Sequence, residues 1–586
     1  MTKKLNVNDY LGKYFTILLF VSFNNNIPEK KLLSSKQLNC LAKNIKSVFL
    51  ENMALEKEQH KVLKWAFFSG LGTLFSRFAG LFREIVMAAL FGTGMVADAF
   101  SAAFRFPNLL RRVFGEGGLL VVLVPRYSQE RIEFDDDEAF VLASSVAVML
   151  GVIVGLVISI GELTAPYLAW VFAHGWLDQP EKFALTVRLL RLLYPFIGFI
   201  AFATWASAIL NAHKKFFLPS LAPAFLNLGW LTGGLIALQL YRNSAPQIQA
   251  YIVAAGVLLG GLLQFCIQIP LMKKIGFKFK SDIKRKISGV VEIGKLLLPA
   301  LVTLAVMEIN FIVDVLLASF LPQGSVSALT YANRLIYLPM GLASVAMAQA
   351  TLPKLSDLAA IADFKKFEKL LSFATKIIFG IMLPISAFVI ALNSEIVGFL
   401  FQRGSFSGAV STPMTAFALT FYAVGLFAFG SNKILMQGFY AIKDTKTPMI
   451  LSAIVVMINI ILNLLLIGPL KHGGLALATS LASIVHTTLL LIFLNRKNKL
   501  AIKPQIMSFL RVLVASVIIL IITKLSSIGV HSFIGEISFW QRAIQLGLPS
   551  IIWFIAVIAI AKILKISEIE QFIELFIQKM KKFISK

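Results

Sequence analysis

Cysteine and acidic charge are scarce in this 586-residue chain. Its two cysteines, Cys40 and Cys266, offer neither a disulfide framework nor a metal-ligand spacing. Cys266 lies in an apolar run and reads as a small core residue. Six histidines are scattered with no pair at metal spacing. Only 15% of residues are charged, and 30 acids face 56 lysines and arginines, a formal net charge of +26. No glycine-rich phosphate loop is present, which argues against direct ATP coupling. The dense acidic run at residues 133–138 (EFDDDE) lacks ligand spacing, sits beside Arg126 and Arg131, and reads as a solvated loop.

What the chain has is apolar length. It is 58% hydrophobic with a mean hydropathy of +0.80, more than a soluble domain has use for. The fold class is therefore an all-α polytopic membrane protein. About fourteen transmembrane helices are expected, near 66–92, 96–123, 139–164, 184–212, 217–240, 249–272, 292–320, 325–352, 368–393, 412–441, 448–468, 473–495, 506–527 and 546–564. Connections alternate in charge. PRYSQER, HKK, KKIGFKFKSDIKRK, KDTK and NRKNK lie on one side, and FGTG, YRNSAPQ, LPQG and GPLKHGG on the other. The basic side is expected to face the cytoplasm, with both chain ends there. Anionic membrane lipid, and no nucleic acid, is the natural counter-charge.

An internal repeat organises the spans. FGTGMVADAF…VPRYS returns as FLPQGSVSAL…LPKLS about 230 residues on, and NAHKKFFLP returns as YAIKDTKTP. Six spans separate the copies, so the halves share one orientation: two parallel-repeat six-helix lobes around a central cavity. Residues 61–290 form the first lobe and 291–500 the second. Residues 501–586 add two extra C-terminal helices and an amphipathic segment with Ile566, Ile569, Ile573, Phe576 and Met580 at helical intervals. Residues 1–60 carry no cleavable signal pattern. They read as an extension upstream of a true start at Met53, the alternative being a real cytoplasmic segment.

The stretch from Phe67 to Gln129 concentrates the chemistry. Its two expected spans carry Arg77, Arg83, Glu84, Asp98, Arg105, Arg111, Arg112 and Glu116. Such groups at membrane depth line a wet cavity or pair with one another. Asp98, Ser101, Arg105, Asn108 and Arg112 step by three and four, one polar stripe on a helix, and Ser76, Arg77, Gly80, Arg83 and Glu84 share a face of the preceding one. Buried ion pairing between two helices is the plain structural account. Against it, bases exceed acids, and the surplus calls for an anion; arginine's fork suits phosphate.

The run SRFAGLFREIVMAALFGTGMVADAF followed by PNLLRRVFGEGG resembles the signature of the MurJ (MviN) family, bacterial lipid II flippases of the multidrug/oligosaccharidyl-lipid/polysaccharide exporter superfamily. The likeness continues through LNAHKKFFLPSLAP, SVSALTYANRLIYLPMG, FQRGSFS, GFYAIKDTKTP and GPLKHGGLALATS. It implies a transporter in the bacterial inner membrane, not an enzyme, that carries undecaprenyl-pyrophosphate-linked disaccharide-pentapeptide for cell wall synthesis. It also implies that Arg77, Arg83, Arg111, Arg112 and Arg334 meet the pyrophosphate or stabilise the inward-open state, with Asp98 a functional acid. Spans 13 and 14 would form a groove for the polyprenyl tail, and proteins of the division or elongation machinery are expected partners. Glu84 stands where an Asp is common, and Asn333 where some relatives have an Asp.

No cofactor is expected beyond a coupling ion. In span seven, Asn310 and Asp314 share a face, and Asp314 reads equally as a Na⁺ or H⁺ site or as an interhelical hydrogen-bond acceptor. Asp444 is a second candidate for Na⁺, though Asp-Thr ahead of Lys-Thr-Pro favours a helix cap. Three other functions compete. A drug/cation antiporter needs an acidic or aromatic cavity, against the five arginines here. A polyprenyl-phosphate enzyme needs paired carboxylates at the membrane face. A flippase for another polyprenyl-linked glycan shares the pyrophosphate and is set apart only by the family resemblance.

Overall fold

In hydrocarbon every backbone amide must find its partner within the chain, and long apolar runs meet that demand as helices. The computed structural model describes residues 75–112, 119–282, 286, 289–295, 310, 312–497, 499–534, 538–566 and 569–570, and among these there are helices and turns but no strand. The N-terminal extension with Met53, the side chain of Arg112, all of Glu116 and the distal C-terminal segment lie outside the described residues.

The first half comprises α1 (residues 75–91), α2 (Met95–Arg112), α3 (Leu119–Glu133), α4 (Asp136–Phe172), α5 (Pro180–Leu193), α6 (Phe196–Ala212), α7 (Phe217–Leu240), α8 (Pro246–Cys266) and the short α9 (Ile269–Lys274). The second half comprises α10 (residues 312–319), α11 (Ser325–Pro339), α12 (Val345–Ala360), α13 (Phe364–Ala391), α14 (Asn393–Phe401), α15 (Ser411–Val424), α16 (Leu426–Ala441) and α17 (Lys446–Arg496); α18 (Ile502–Phe533) and α19 (Phe539–Ile563) follow.

Among the described residues nine helices are long and apolar enough to cross a membrane, and α15 with α16, bent by 43°, makes a tenth. Expected spans 1, 2 and 7 fall partly outside the described residues. Expected spans 11 and 12 both lie in α17, whose 51 residues would reach roughly 77 Å if straight, far beyond a hydrocarbon core of about 30 Å. The helix is not straight. Lys471 has φ 49° and ψ −129°, and a Cβ on Gly474 would lie 2.2 Å from the Leu466 carbonyl oxygen. Eight residues of straight helix would hold those positions about 12 Å apart. The chain therefore doubles back at Lys471.

Small residues set the closest packing. Gly229 and Gly233 on α7 meet Gly256 and Gly260 on α8, where a Cβ on Gly229 would stand 2.4 Å from the Gly260 Cα. Stacked glycines let two backbones touch, the usual device where apolar burial cannot drive helices together. The repeat shows in the turns: Lys214 in NAHKK and Lys443 in YAIKD both adopt left-handed backbone, φ 58° and 59°. The last two helices share an apolar seam with α13 through Phe379, Leu383, Val512, Ile519 and Val557. At one end Ser527 and His531 of α18 both reach the buried Glu395 carboxylate on α14.

Candidate functional site: a cationic cavity between the halves

A cavity of about 860 Å³ lies between the halves, lined by α1, α2, α6, α7, α11 and α16. Five cations line it, Arg77, Arg83, Arg111, Arg334 and Lys433, and among the described residues no acid does. Ser76, Asn108 and Asn227 add polar atoms. Gathering positive charge in a low-dielectric site is costly unless an anion or fixed acceptors compensate.

Part of the compensation is internal. The buried Glu84 carboxylate accepts from Arg83 at 2.5 Å and from Arg334 Nε at 3.1 Å, so a first-half acid is held between cations of both halves. Arg83 also donates to Asn227 Oδ1 at 3.1 Å and stacks 4.1 Å from the Trp230 ring centroid. Asn227 in turn donates to the Ser76 carbonyl at 2.9 Å. Arg83 is thereby fixed, whereas the Arg334 side chain, held to Glu84 through Nε, stays 44% exposed and can turn its terminal nitrogens to a ligand. Arg77 lies against Gly341, where a Cβ would meet its guanidinium at 1.4 Å. Gly341 belongs to the π-helical turn Met340–Ser344 that follows Pro339, an irregularity of the kind found at functional sites. Arg111 is oriented by Asn108 Oδ1 at 2.9 Å. Lys433, not singled out in the sequence, enters from α16 as a lone lysine within an apolar span.

Asp98 is not among the cavity-lining residues. Its carboxylate is 1% exposed and accepts from Lys182 Nζ at 2.8 Å, Gly324 N at 2.7 Å, and Ser327 N and Oγ, both at 2.8 Å. Gly324 is the N-cap of α11 and has no side chain to cap with; Asp98 supplies that cap from the other half of the molecule. Nearby, Thr93 Oγ1 and Ser411 Oγ lie 2.9 Å apart, and the Ser405 amide donates to the Ala89 carbonyl at 2.8 Å. These contacts latch the halves together at the side of the FGTG and LPQG turns. Arg105 also leaves the first cavity: it donates to Thr330 Oγ1 at 3.3 Å and lines a second cavity of about 270 Å³ with Asn310, Asp314, Asn333, Tyr422 and His486.

Asp314 accepts from Asn463 Nδ2 at 2.9 Å, and the same nitrogen donates to Asn459 Oδ1 at 3.0 Å. The oxygens Asn463 Oδ1 and Asn310 Oδ1 are buried without a hydrogen-bond donor. Orphaned oxygens beside a carboxylate fit a hard monovalent cation. Asp444 is arranged differently. It accepts from the Thr447 amide at 3.0 Å, starting α17, and from Lys497 Nζ at 2.6 Å, so both oxygens are used as a cap and an ion pair. This geometry fits the helix-cap reading of Asp444. Burial pushes the Asp444 carboxyl up, but the Lys497 and Thr447 hydrogen bonds outweigh it and hold it below its ordinary value. A depressed folded pKa contributes stability above the unfolded value, lost as pH falls through the folded one. Asp444→Ala is expected to cost about 1 kcal/mol, read as a lower melting temperature at pH 7 that converges with the parent's in acid, with cation dependence unchanged.

Two helical halves joined at one side of a positively charged cavity define a membrane transporter for an anionic substrate. The family model "Lipid II flippase MurJ" matches residues 87–540, and the chain belongs to that family. It is 34% identical over 432 residues to a probable lipid II flippase MurJ of Rhizobium tropici, covering 74% of this chain and 80% of the relative. A lipid II flippase MurJ of Burkholderia cenocepacia is 31% identical over 454 residues, with 76% and 86% covered. Among solved structures, a lipid II flippase MurJ in an inward closed conformation superposes with TM-score 0.70 at 29% identity, covering 85% of this chain and 99% of that one. An inward-facing MATE family transporter of the MOP superfamily shares the fold, with TM-score 0.59 at 17% identity and 72% and 94% covered.

Proposed function

We propose that this protein moves lipid II from the inner to the outer leaflet of the bacterial cytoplasmic membrane by alternating access. The observation that carries this is the cavity with five cationic side chains and, among the described residues, no acidic one, in a chain of the lipid II flippase family. A diphosphate entering it exchanges water for prearranged charged donors, which lowers the cost of carrying it through low dielectric. The lining includes Asn211, Phe216 and Ser220, which flank the basic HKK turn. With that turn cytoplasmic, the latched side is the outer one and the cavity receives substrate from the inner leaflet. Rocking of the halves then exposes the headgroup outside, with no bond made or broken. The cavity's charge opposes a carrier of organic cations.

The test is depletion of a bacterium's own lipid II flippase with this chain supplied in its place, scoring survival and outward exposure of labelled lipid II. Rescue with exposure supports the reading. Good expression without either shifts it to another polyprenyl-linked glycan.

For the return step we assign a monovalent cation, Na⁺ or H⁺, to Asp314 with Asn463 and Asn310. The buried oxygens without donors support it. Such a cation would supply charge neutralisation at Asp314 and nothing chemical. Asp314→Asn is expected to abolish the Na⁺ or pH dependence of lipid II exposure; dependence that survives the substitution refutes the assignment.

A further inference from the structure

The two halves exchange arginines. Asp98 and Ser327 stand 229 residues apart and hydrogen-bond to each other, so repeat-related positions meet where the halves join. The same offset relates Arg105 to Arg334. Arg334, on α11 of the second half, crosses to Glu84 on α1 and pairs with it at 3.1 Å. Arg105, on α2 of the first half, crosses to the second half, donates to Thr330 and shares a cavity with Asp314 of α10. Asp314 follows Glu84 by one residue more than the repeat offset. The fold thus builds two reciprocal arginine–carboxylate couples, and they are in different states. The Glu84 couple is closed. Among the described residues Asp314 makes no direct ion pair with Arg105, and about 270 Å³ of cavity, lined also by Lys433, surrounds it.

We propose that Arg105 is a tethered counter-charge to Asp314 that competes with the coupling cation, so that cation occupancy in the second half is read by the first half. This rests on the assignment of a cation to Asp314. Two positive charges cannot both sit close to one carboxylate in low dielectric without a penalty. When the halves are latched, Arg105 lies in the Asp314 cavity and weakens cation binding. When α2 swings away, Arg105 leaves and the cation becomes the better partner. Reciprocity requires the converse: a bound cation disfavours the latched state by the same factor. The lever is one helix, with no proline between Asp98 and Arg105. α2 carries Asp98 at the latch, Arg105 at the cation cavity and Arg111 at the anion cavity. Seven residues separate the first two, two helical turns or about 10 Å, so they move together. Substrate charge, latch and cation are thereby linked with no mobile carrier between them.

The experiment uses the purified full chain, titrated with NaCl against KCl at constant ionic strength and read by thermal unfolding. A second readout is cross-linking of Thr93→Cys with Ser411→Cys, in a background with Cys40 and Cys266 changed to Ser. In the parent, Na⁺ should raise the melting temperature and lower cross-linking. Arg105→Gln should bind Na⁺ about tenfold more tightly, the scale of one unit charge acting through several ångströms of protein. It should also lose the effect of Na⁺ on cross-linking. Arg105→Lys keeps the charge and should stay near the parent in both, which separates charge from any loss of folding in the Gln variant. Na⁺ binding in the parent with unchanged affinity and unchanged cross-linking response in Arg105→Gln overturns the competition and leaves the cation at Asp314 standing. No Na⁺ response in the parent, together with melting and cross-linking that do not change between about pH 5 and 8, overturns both.

Discussion

Arg334→Ala is expected to cut outward exposure of lipid II at least about thirtyfold while the protein stays in the membrane at its normal abundance. The side chain is 44% exposed and its one described ion pair is to Glu84. That carboxylate keeps Arg83 at 2.5 Å when Arg334 is removed, so no acid is stranded and the cost in stability is that of a half-exposed pair, at most about 1 kcal/mol. A charge-assisted contact to a desolvated phosphate is worth more, about 2–5 kcal/mol on truncation, and each 1.4 kcal/mol is roughly a factor of ten. Arg334→Lys should recover part of the activity, since a point charge remains without the paired fork. Arg83→Ala should behave differently. Arg83 is 6% exposed and wedged between Glu84, Asn227 and Trp230, so its loss costs folding as well as transport, and the protein's abundance should drop. Labelled lipid II exposure normalised to membrane abundance separates the two. Normal exposure in Arg334→Ala would remove this residue from the substrate's path.

That contrast between two arginines was only half legible in the sequence. Apolar length and alternating loop charge announced the helices, and the repeated turn motifs reappear as paired left-handed lysines at 214 and 443. Helical spacing correctly placed Asp98, Arg105 and Asn108 on one stripe of α2. Spacing says which residues share a face, though, and not what the face meets along its length. The stripe looked like one anion site, yet it crosses three environments: a latch, a second cavity and the cationic cavity. The partners that divide it lie far away in the chain, Lys182 on α5, Ser327 and Thr330 on α11. Lys182 stands just before the expected span at 184–212 with no local signal of its role, yet it is 1% exposed with its ammonium 4.1 Å from the Trp176 ring centroid. Lys433 has no periodic companion in its apolar span, so spacing gives no signal for it. Asn459 and Asn463, a helical turn apart, carry no charge to mark them beside Asp314. Asp444 was the opposite case: its cap is a local signal, and local signals survive without tertiary information.

The latch yields the second large effect. Asp98→Ala strands the Lys182 ammonium in a site 1% exposed and orphans the Gly324 and Ser327 amides that begin α11. Breaking a buried pair from one side costs about 3–5 kcal/mol, and losing a helix cap adds about 1 kcal/mol. The Lys182 part falls on both states, because Lys182 lies in the first half with Asp98; the part specific to the latched state is the loss of the α11 contacts, which Asp98 makes across the halves. The equilibrium should therefore tilt toward the unlatched arrangement. Cross-linking of Thr93→Cys with Ser411→Cys, 2.9 Å apart as hydroxyls in the parent, should fall about fivefold, the equivalent of about 1 kcal/mol, and lipid II exposure with it. Two causes are mixed in that loss, and a double variant separates them. Asp98→Asn with Lys182→Gln removes both charges and keeps an oxygen that can accept from the α11 amides. If the stranded ammonium dominates, the double variant should recover most of the melting temperature lost in Asp98→Ala. If the trans-half cap dominates, Asp98→Asn alone should recover cross-linking while Lys182 stays charged. Unchanged cross-linking in Asp98→Ala would mean that the backbone contact between Ser405 and Ala89 holds the halves without the carboxylate. α2 would then carry only its charges to the two cavities, and closure would belong to the turns.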